Sequence, residues 1–306
     1  MYKLYVVCLL TLSLLVTGYV PAHADDSEII VGVLEHHEGL VTGDPFYFTV
    51  RVVFKKTEGA WESFESDCRN PACLQALISE FPPRMTWTIT FDGKNLGHVS
   101  TVNPRKFKYY SSVGQQDIVR GSKIPTIGTP SSKFNGWELE DVYRPLVAVS
   151  HPNYKDLDRW KLSHLEDKLI QLARTEFRKQ FTTATNCDKE DENRSREIPW
   201  PYVDSDIKIL KSYSSNKHWT LLQLILEGSE CEMLDDHSPF MGQWFAVSPK
   251  HHVSHLGEAM TLIDAGDYDN DGRSEVIFKA YGNNRGGYKL FYKDFSTHAS
   301  FEFLYH

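Results

Sequence analysis

Long apolar runs are scarce in this chain, as are cysteines and any surplus of positive charge. Beyond the first 24 residues no segment approaches the roughly 20 consecutive apolar residues that a bilayer-spanning helix needs, which excludes a polytopic membrane protein. Lysine and arginine total 33 against 41 aspartates and glutamates, a formal net charge of −8. The basic face that neutralises phosphates is therefore missing, and no nucleic-acid partner is expected. Catalytic signatures are missing too: the chain has no G-x-S-x-G elbow, no P-loop and no H-E-x-x-H zinc motif. There is no internal repeat and no low-complexity tract.

What is present suits a folded protein with a sizeable core. The chain has 306 residues, 41% hydrophobic and 24% charged, enough for one large domain or two ordinary ones. Aromatic residues are abundant, at 13%.

The first residues carry an address. A lone Lys3 precedes an apolar stretch from about Leu4 to Val16, and Ala22-His23-Ala24 follows as a small-x-small cleavage site. This is the layout of a secretory signal peptide, with cleavage expected after Ala24, and it predicts a secreted or periplasmic protein. Cys8 lies inside the apolar stretch and not at its end, which disfavours a lipid-modified cysteine.

Export changes how the cysteines read. Loss of Cys8 leaves Cys68, Cys73, Cys187 and Cys231, an even number that favours disulfides in an oxidising compartment. Of three connectivities, the short spacing favours Cys68–Cys73 with Cys187–Cys231 as the remaining pair. Bridges between the two pairs stay open, and so does a zinc site, for which a lone C-x4-C is a weak pattern.

Period-two alternation dominates the rest, so the expected fold class is mainly β, a β-rich α+β protein of antiparallel sheets, propeller-like or a sandwich. Strands are expected over Glu28–Leu34, Pro45–Phe54, Met85–Phe91, Leu96–Val102, Val142–Ser150, Ile207–Ser212, Trp219–Glu227, Trp244–Val247 and the alternating aromatics of Phe301–Tyr305. Asp92-Gly93-Lys94 reads as a hairpin turn. One segment departs from this pattern: Ser163 to Glu166 reads as a capping box. Leu165, Leu169, Leu172, Ala173 and Phe177 then recur at helical spacing, which predicts an amphipathic helix over about 163–181 packed on a sheet. A shorter helix is expected from Pro71 to Glu80. The stretch 184–201 is polar, of mixed charge and flanked by Pro199 and Pro201. It reads as a surface connector between an N-terminal β-rich region, 25–183, and a C-terminal β region, 202–306.

The strongest chemical signal is Asp267-Tyr268-Asp269-Asn270-Asp271-Gly272-Arg273-Ser274-Glu275. Carboxylates at loop positions 1, 3 and 5 can converge on one point, Gly272 permits the sharp turn, the carbonyl of Arg273 can swing inward, and Glu275 adds an oxygen. Hard oxygen donors suit calcium better than zinc or copper. Position 12, where an EF-hand carries its bidentate glutamate, is Phe278, so the EF-hand pattern stops at the glycine. The segment Asp264 to Tyr292 instead resembles the FG-GAP and VCBS type calcium-binding repeats of extracellular β-propeller proteins, in which such a loop runs into a strand and a hairpin. The resemblance implies a structural calcium ion held by the side chains of Asp267, Asp269, Asp271 and Glu275 and by the backbone of Arg273. Two features stand apart from that family: Glu275 occupies a place where aspartate is commoner, and the loop occurs once.

Other constellations carry less. His251-His252-x-x-His255 and His36-His37 read as loop histidines, since spacing alone builds no metal centre. Glu138 and Glu140 read as surface charge unless the fold sets a carboxylate about 5 to 9 Å away. Trp61, Trp87, Trp137, Trp160, Trp200, Trp219 and Trp244 read chiefly as core. The function expected is an exported, non-enzymatic, calcium-binding module that engages an extracellular or envelope protein or a glycan. The alternative is a secreted hydrolase, active on glycans, with a structural calcium ion.

Overall fold

The computed structural model describes residues 28–37, 47–68, 70–104, 107, 109–126, 145–191, 194–227 and 239–305. The signal-peptide region, Trp137, Glu138, Glu140 and Cys231 lie outside the described residues.

The fold is β-rich, as its alternation predicts, and its sheets are antiparallel. The largest has seven strands: β1 (Ile30–His37), β2 (Tyr47–Thr57), β3 (Ala60–Ser63), β4 (Thr86–Phe91), β5 (Lys94–Ser100), β6 (Gln115–Asp117) and β7 (Leu146–Val149). Their order is β3-β2-β1-β7-β4-β5, with β6 also on β2. Ile118, just past β6, bridges Thr101, just past β5. The two ends of the sheet thereby approach each other beside the fully buried Trp87, whose indole donates to Thr101 Oγ1 at 3.2 Å.

A five-stranded sheet joins β8 (Lys161–Leu162), β11 (Ile207–Ser214), β12 (Thr220–Leu226), β13 (Gln243–Val247) and β14 (Val253–Glu258). A four-stranded meander, β15 (Met260–Gly266), β16 (Glu275–Gly282), β17 (Arg285–Tyr292) and β18 (Thr297–Leu304), runs in simple up-and-down order. This unit lies between two larger sheets. Register shows why it can. Lys279 pairs with Tyr288 and Phe278 with Lys289, so neighbouring positions face opposite sides. On one side Tyr288 reaches Glu35 of β1, and Phe303 lies under the Arg51 guanidinium of β2 at 3.9 Å. On the other side Phe278 meets Trp244 of β13 at 5.0 Å. Apolar residues on both faces of the meander are what this middle position requires.

The next layer follows from the same alternation. Leu221, Trp244 and Ala246 face the meander, whereas Leu222, Leu224, Phe245 and Val247 face outward. Helix α2 (Asp167–Gln180) covers that outward face with Ala173 and Phe177, both fully buried. The expected apolar stripe therefore does pack on a sheet. Its start is corrected: the helix begins at Asp167, and Glu166, not Ser163, is the N-cap residue. Lys161 and Leu162 pair with β11, and the backbone N–H of Ser163 donates to Ser212. Sheet pairing holds Ser163 outside the helix, and its hydroxyl makes no cap.

The stretch 184–201 carries regular backbone pairing. The polar segment is a two-stranded hairpin, β9 (Ala184–Asp191) and β10 (Arg194–Trp200), and not an irregular loop. Moreover β8 and α2, which precede it, belong with strands that follow it. The shorter predicted helix forms as α1 (Pro71–Leu77), continued by a 3-10 turn to Glu80. Asn70 caps it by accepting from the Cys73 N–H at 2.9 Å. The predicted Cys68–Cys73 disulfide is formed there, with Cα atoms 5.5 Å apart.

A buried polar tie joins the outer sheet to the meander. Arg51 and Glu35, 2% and 7% exposed, form a two-point ion pair, and Tyr288 donates its phenol to Glu35 at 2.6 Å. Arg51 also donates to the carbonyls of Val113 and Ser111. Burial acts to raise the Glu35 pKa. Arg51 and His37 outweigh it and hold this carboxyl well below the usual carboxylate range.

Candidate metal centre

The acidic loop is the connection between β15 and β16, at one edge of the middle sheet. Its conformation comes from its own polar groups. Asp269 Oδ1 accepts from the Asp271 N–H at 3.0 Å, Asp271 Oδ1 from the Arg273 N–H at 2.9 Å, and Asp267 Oδ2 from the Gly272 N–H at 3.1 Å. Glu275 Oε2 reaches back to the Tyr268 N–H at 2.9 Å. Asn270 and Gly272 take φ of 59° and 90°, the left-handed region that asparagine and glycine tolerate best.

These turns bring Asp267, Asp269 and Glu275 together, with one carboxylate oxygen from each lying within 4.8 Å of the others. Asp271 stays outside this group on the exposed rim, and the Arg273 side chain points to Asp294 at 3.7 Å. The three gathered acids are buried, at 4%, 9% and 2% exposure. Burial, then the neighbouring carboxylates, push the Asp267 pKa up to about 6 and the Glu275 pKa well above its ordinary value. The other oxygen of Asp267, Oδ1, is buried without a hydrogen-bond partner. An orphaned anionic oxygen among further carboxylates fits a cation. With three carboxylate donors and neither histidine nor cysteine in the group, the donor set is that of a hard metal ion.

The surroundings fix the loop to the rest of the protein. The Asp267 N–H donates to the Lys155 carbonyl at 2.7 Å, and His151 Nε2 lies 2.7 Å from the Tyr268 carbonyl. Tyr154 stacks on Tyr268 with centroids 5.7 Å apart, and its hydroxyl donates to Asp264 at 2.8 Å. Asp264, also buried, accepts from the Asp92 N–H in the β4–β5 turn at 3.0 Å. It is a satisfied structural acid, unlike Asp267.

Sequence spacing missed one participant. The Lys56 ammonium, from β2 in the outer sheet, binds Asp269 Oδ2. A separation of 213 residues leaves no local signal for this contact.

The histidine runs make no second centre among the described residues. His255 Nε2 contacts Gln243 at 2.8 Å, His251 sits in a turn at φ 62°, and His37 contacts Thr49 at 2.8 Å. Trp61, Trp87, Trp160 and Trp244 are buried, as core tryptophans should be.

Among the clefts, one of about 690 Å³ beside the disulfide is lined by Glu62, Glu65, Asp67, Glu80 and Glu302, all exposed. Another, of about 700 Å³, lies between the end of α2, β14 and the β16–β17 hairpin, with Glu258 its one acid. No helix among the described residues is long and apolar enough to cross a membrane. Comparison of the chain with protein-family models, curated proteins and solved structures yields no match.

Proposed function

We propose that this chain is an exported, non-enzymatic binding module, braced by a structural calcium ion in the β15–β16 loop. Its partner on this reading is an extracellular or envelope protein or a glycan. The observation that carries the metal is the convergence of Asp267, Asp269 and Glu275 around the unpartnered Asp267 Oδ1. Asp271 and the Arg273 carbonyl, on the same loop, complete the set that the likeness to FG-GAP and VCBS repeats implies. Calcium accepts 6 to 8 oxygens in flexible geometry, whereas magnesium demands a tighter octahedron and gives up its waters reluctantly. The ion neutralises like charges that otherwise repel in a poorly solvated place, and so fixes the entry into β16. The leader sequence supports export, and a disulfide at Cys68–Cys73 accords with an oxidising compartment.

Calorimetry and thermal unfolding of the chain lacking residues 1–24 test the metal. Calcium should raise the melting temperature, equimolar magnesium should raise it much less, and Asp269→Ala should abolish the shift. A wild-type protein indifferent to millimolar calcium rejects the site. Glycan-array binding with calcium and with EDTA tests the module.

The acid-lined cleft favours a second reading, a secreted glycan hydrolase. Against it, a general acid must keep its proton near neutral pH, which requires burial or a close like charge. The carboxylates of that cleft stand in solvent. Release of reducing sugar from a polysaccharide panel, lost in Glu62→Gln or Glu302→Gln, reverses the preference.

A further inference from the structure

We propose that Lys56 is a built-in counter-cation of the acidic loop, which holds Asp269 in the metal-free protein and yields that carboxylate to the divalent ion. The inference rests on the calcium reading and concerns how tightly that site binds. Asp269 has both oxygens engaged: Oδ1 accepts from the Asp271 N–H, and Oδ2 accepts from Lys56. A cation entering beside Asp267 Oδ1 must share or replace the second of these bonds.

Lys56 is placed for this exchange. Its side chain is 15% exposed and that of Asp269 is 2% exposed, so their attraction is poorly screened. The ammonium also lies over two aromatic rings, 5.1 Å from the centre of Trp61 and 5.7 Å from that of Tyr292. Both rings are buried, at 3% and 7% exposure. Cation–π attraction gives the ammonium a second resting partner once Asp269 turns to the metal, so release does not require ejecting Lys56 into solvent.

Two consequences follow from charge alone. One ammonium against three gathered carboxylates leaves the loop negative, so a divalent ion still gains by binding. A fixed positive charge beside the site opposes that gain, which weakens affinity. Lys56 also joins the outer sheet to the loop, so ion binding changes a contact between β2 and the β15–β16 connection.

The test uses the chain without its first 24 residues and calcium chloride as the probe. Lys56→Met removes charge and hydrogen bond, whereas Lys56→Gln keeps a donor for Asp269 and removes only the charge. Both should bind calcium at least tenfold more tightly than wild type by calorimetry, a factor consistent with one unit charge a few ångströms away in a partly screened site. Both should melt lower than wild type in EDTA and regain that loss in calcium. A variant that folds only when calcium is present supports the same conclusion. Folded variants with unchanged or weaker affinity overturn it, as do two variants that stay unfolded at saturating calcium. If wild type and both variants all fail to bind calcium, the calcium reading itself is overturned.

Discussion

Arg51 holds Glu35 by two parallel bonds, Nε to Oε1 at 2.8 Å and Nη2 to Oε2 at 3.0 Å, inside the contact between the outer sheet and the meander. Removing one partner leaves the other charge buried without compensation. Glu35→Ala is therefore expected to cost about 3 to 5 kcal/mol in urea unfolding. The double variant with Arg51→Met should lose less than the sum of the single losses, because no lone charge remains.

The same pair sets a pH dependence. Glu35 has a folded-state pKa below its ordinary 4.5, so its contribution is fully present above that value and fades as pH falls through the folded value. Melting curves of wild type and Glu35→Gln should stay separated by a constant interval from pH 7 to about pH 5. They should converge on further acidification. A constant interval down to pH 2 rejects the assignment.

Asp267→Asn should change sign with calcium. In EDTA it removes a like charge from a buried cluster, and it should be as stable as wild type or more so by about 1 kcal/mol. In saturating calcium it lacks a charged ligand and should melt below wild type. Paired melts in EDTA and calcium check the crossing.

The Cys68–Cys73 bridge closes a loop of few residues at the start of α1. Its loss through the paired substitution to serine should cost only about 2 kcal/mol, since short loops lose little chain entropy on closure. Thermal denaturation with and without reductant provides the check.

Phe177 is the fully buried anchor of α2, against Tyr202, Phe181 and Phe245. Phe177→Ala should cost about 3 to 5 kcal/mol by leaving a cavity under the helix. Calcium affinity should be unchanged, because the helix covers the face of its sheet opposite the meander.

Much of the sheet content was legible because alternation and burial coincide, as in Phe301 and Phe303, which are buried on either side of the exposed Glu302. The hairpin of 184–201 was not, since its residues lack the β-branched and apolar alternation that marks a half-buried strand; backbone pairing alone makes it one. The capping-box pattern at Ser163 misled because a local motif competes with sheet pairing, and here Lys161 and Leu162 bind β11. At the candidate metal centre, spacing picked out the carboxylates of Asp267, Asp269 and Glu275, which the fold gathers. It could not separate them from Asp271, whose carboxylate turns to the Arg273 N–H, nor foresee Lys56, which long-range folding brings in.

The order of layers has a consequence for biogenesis. The sheet that lies in the middle is assembled from residues 260–304, which follow every strand of the two sheets it separates. While the ribosome is still making it, neither outer sheet has its packing surface, and Glu35 and Arg51 lack Tyr288 and Phe303. A chain in that condition cannot close its core until the meander has been made.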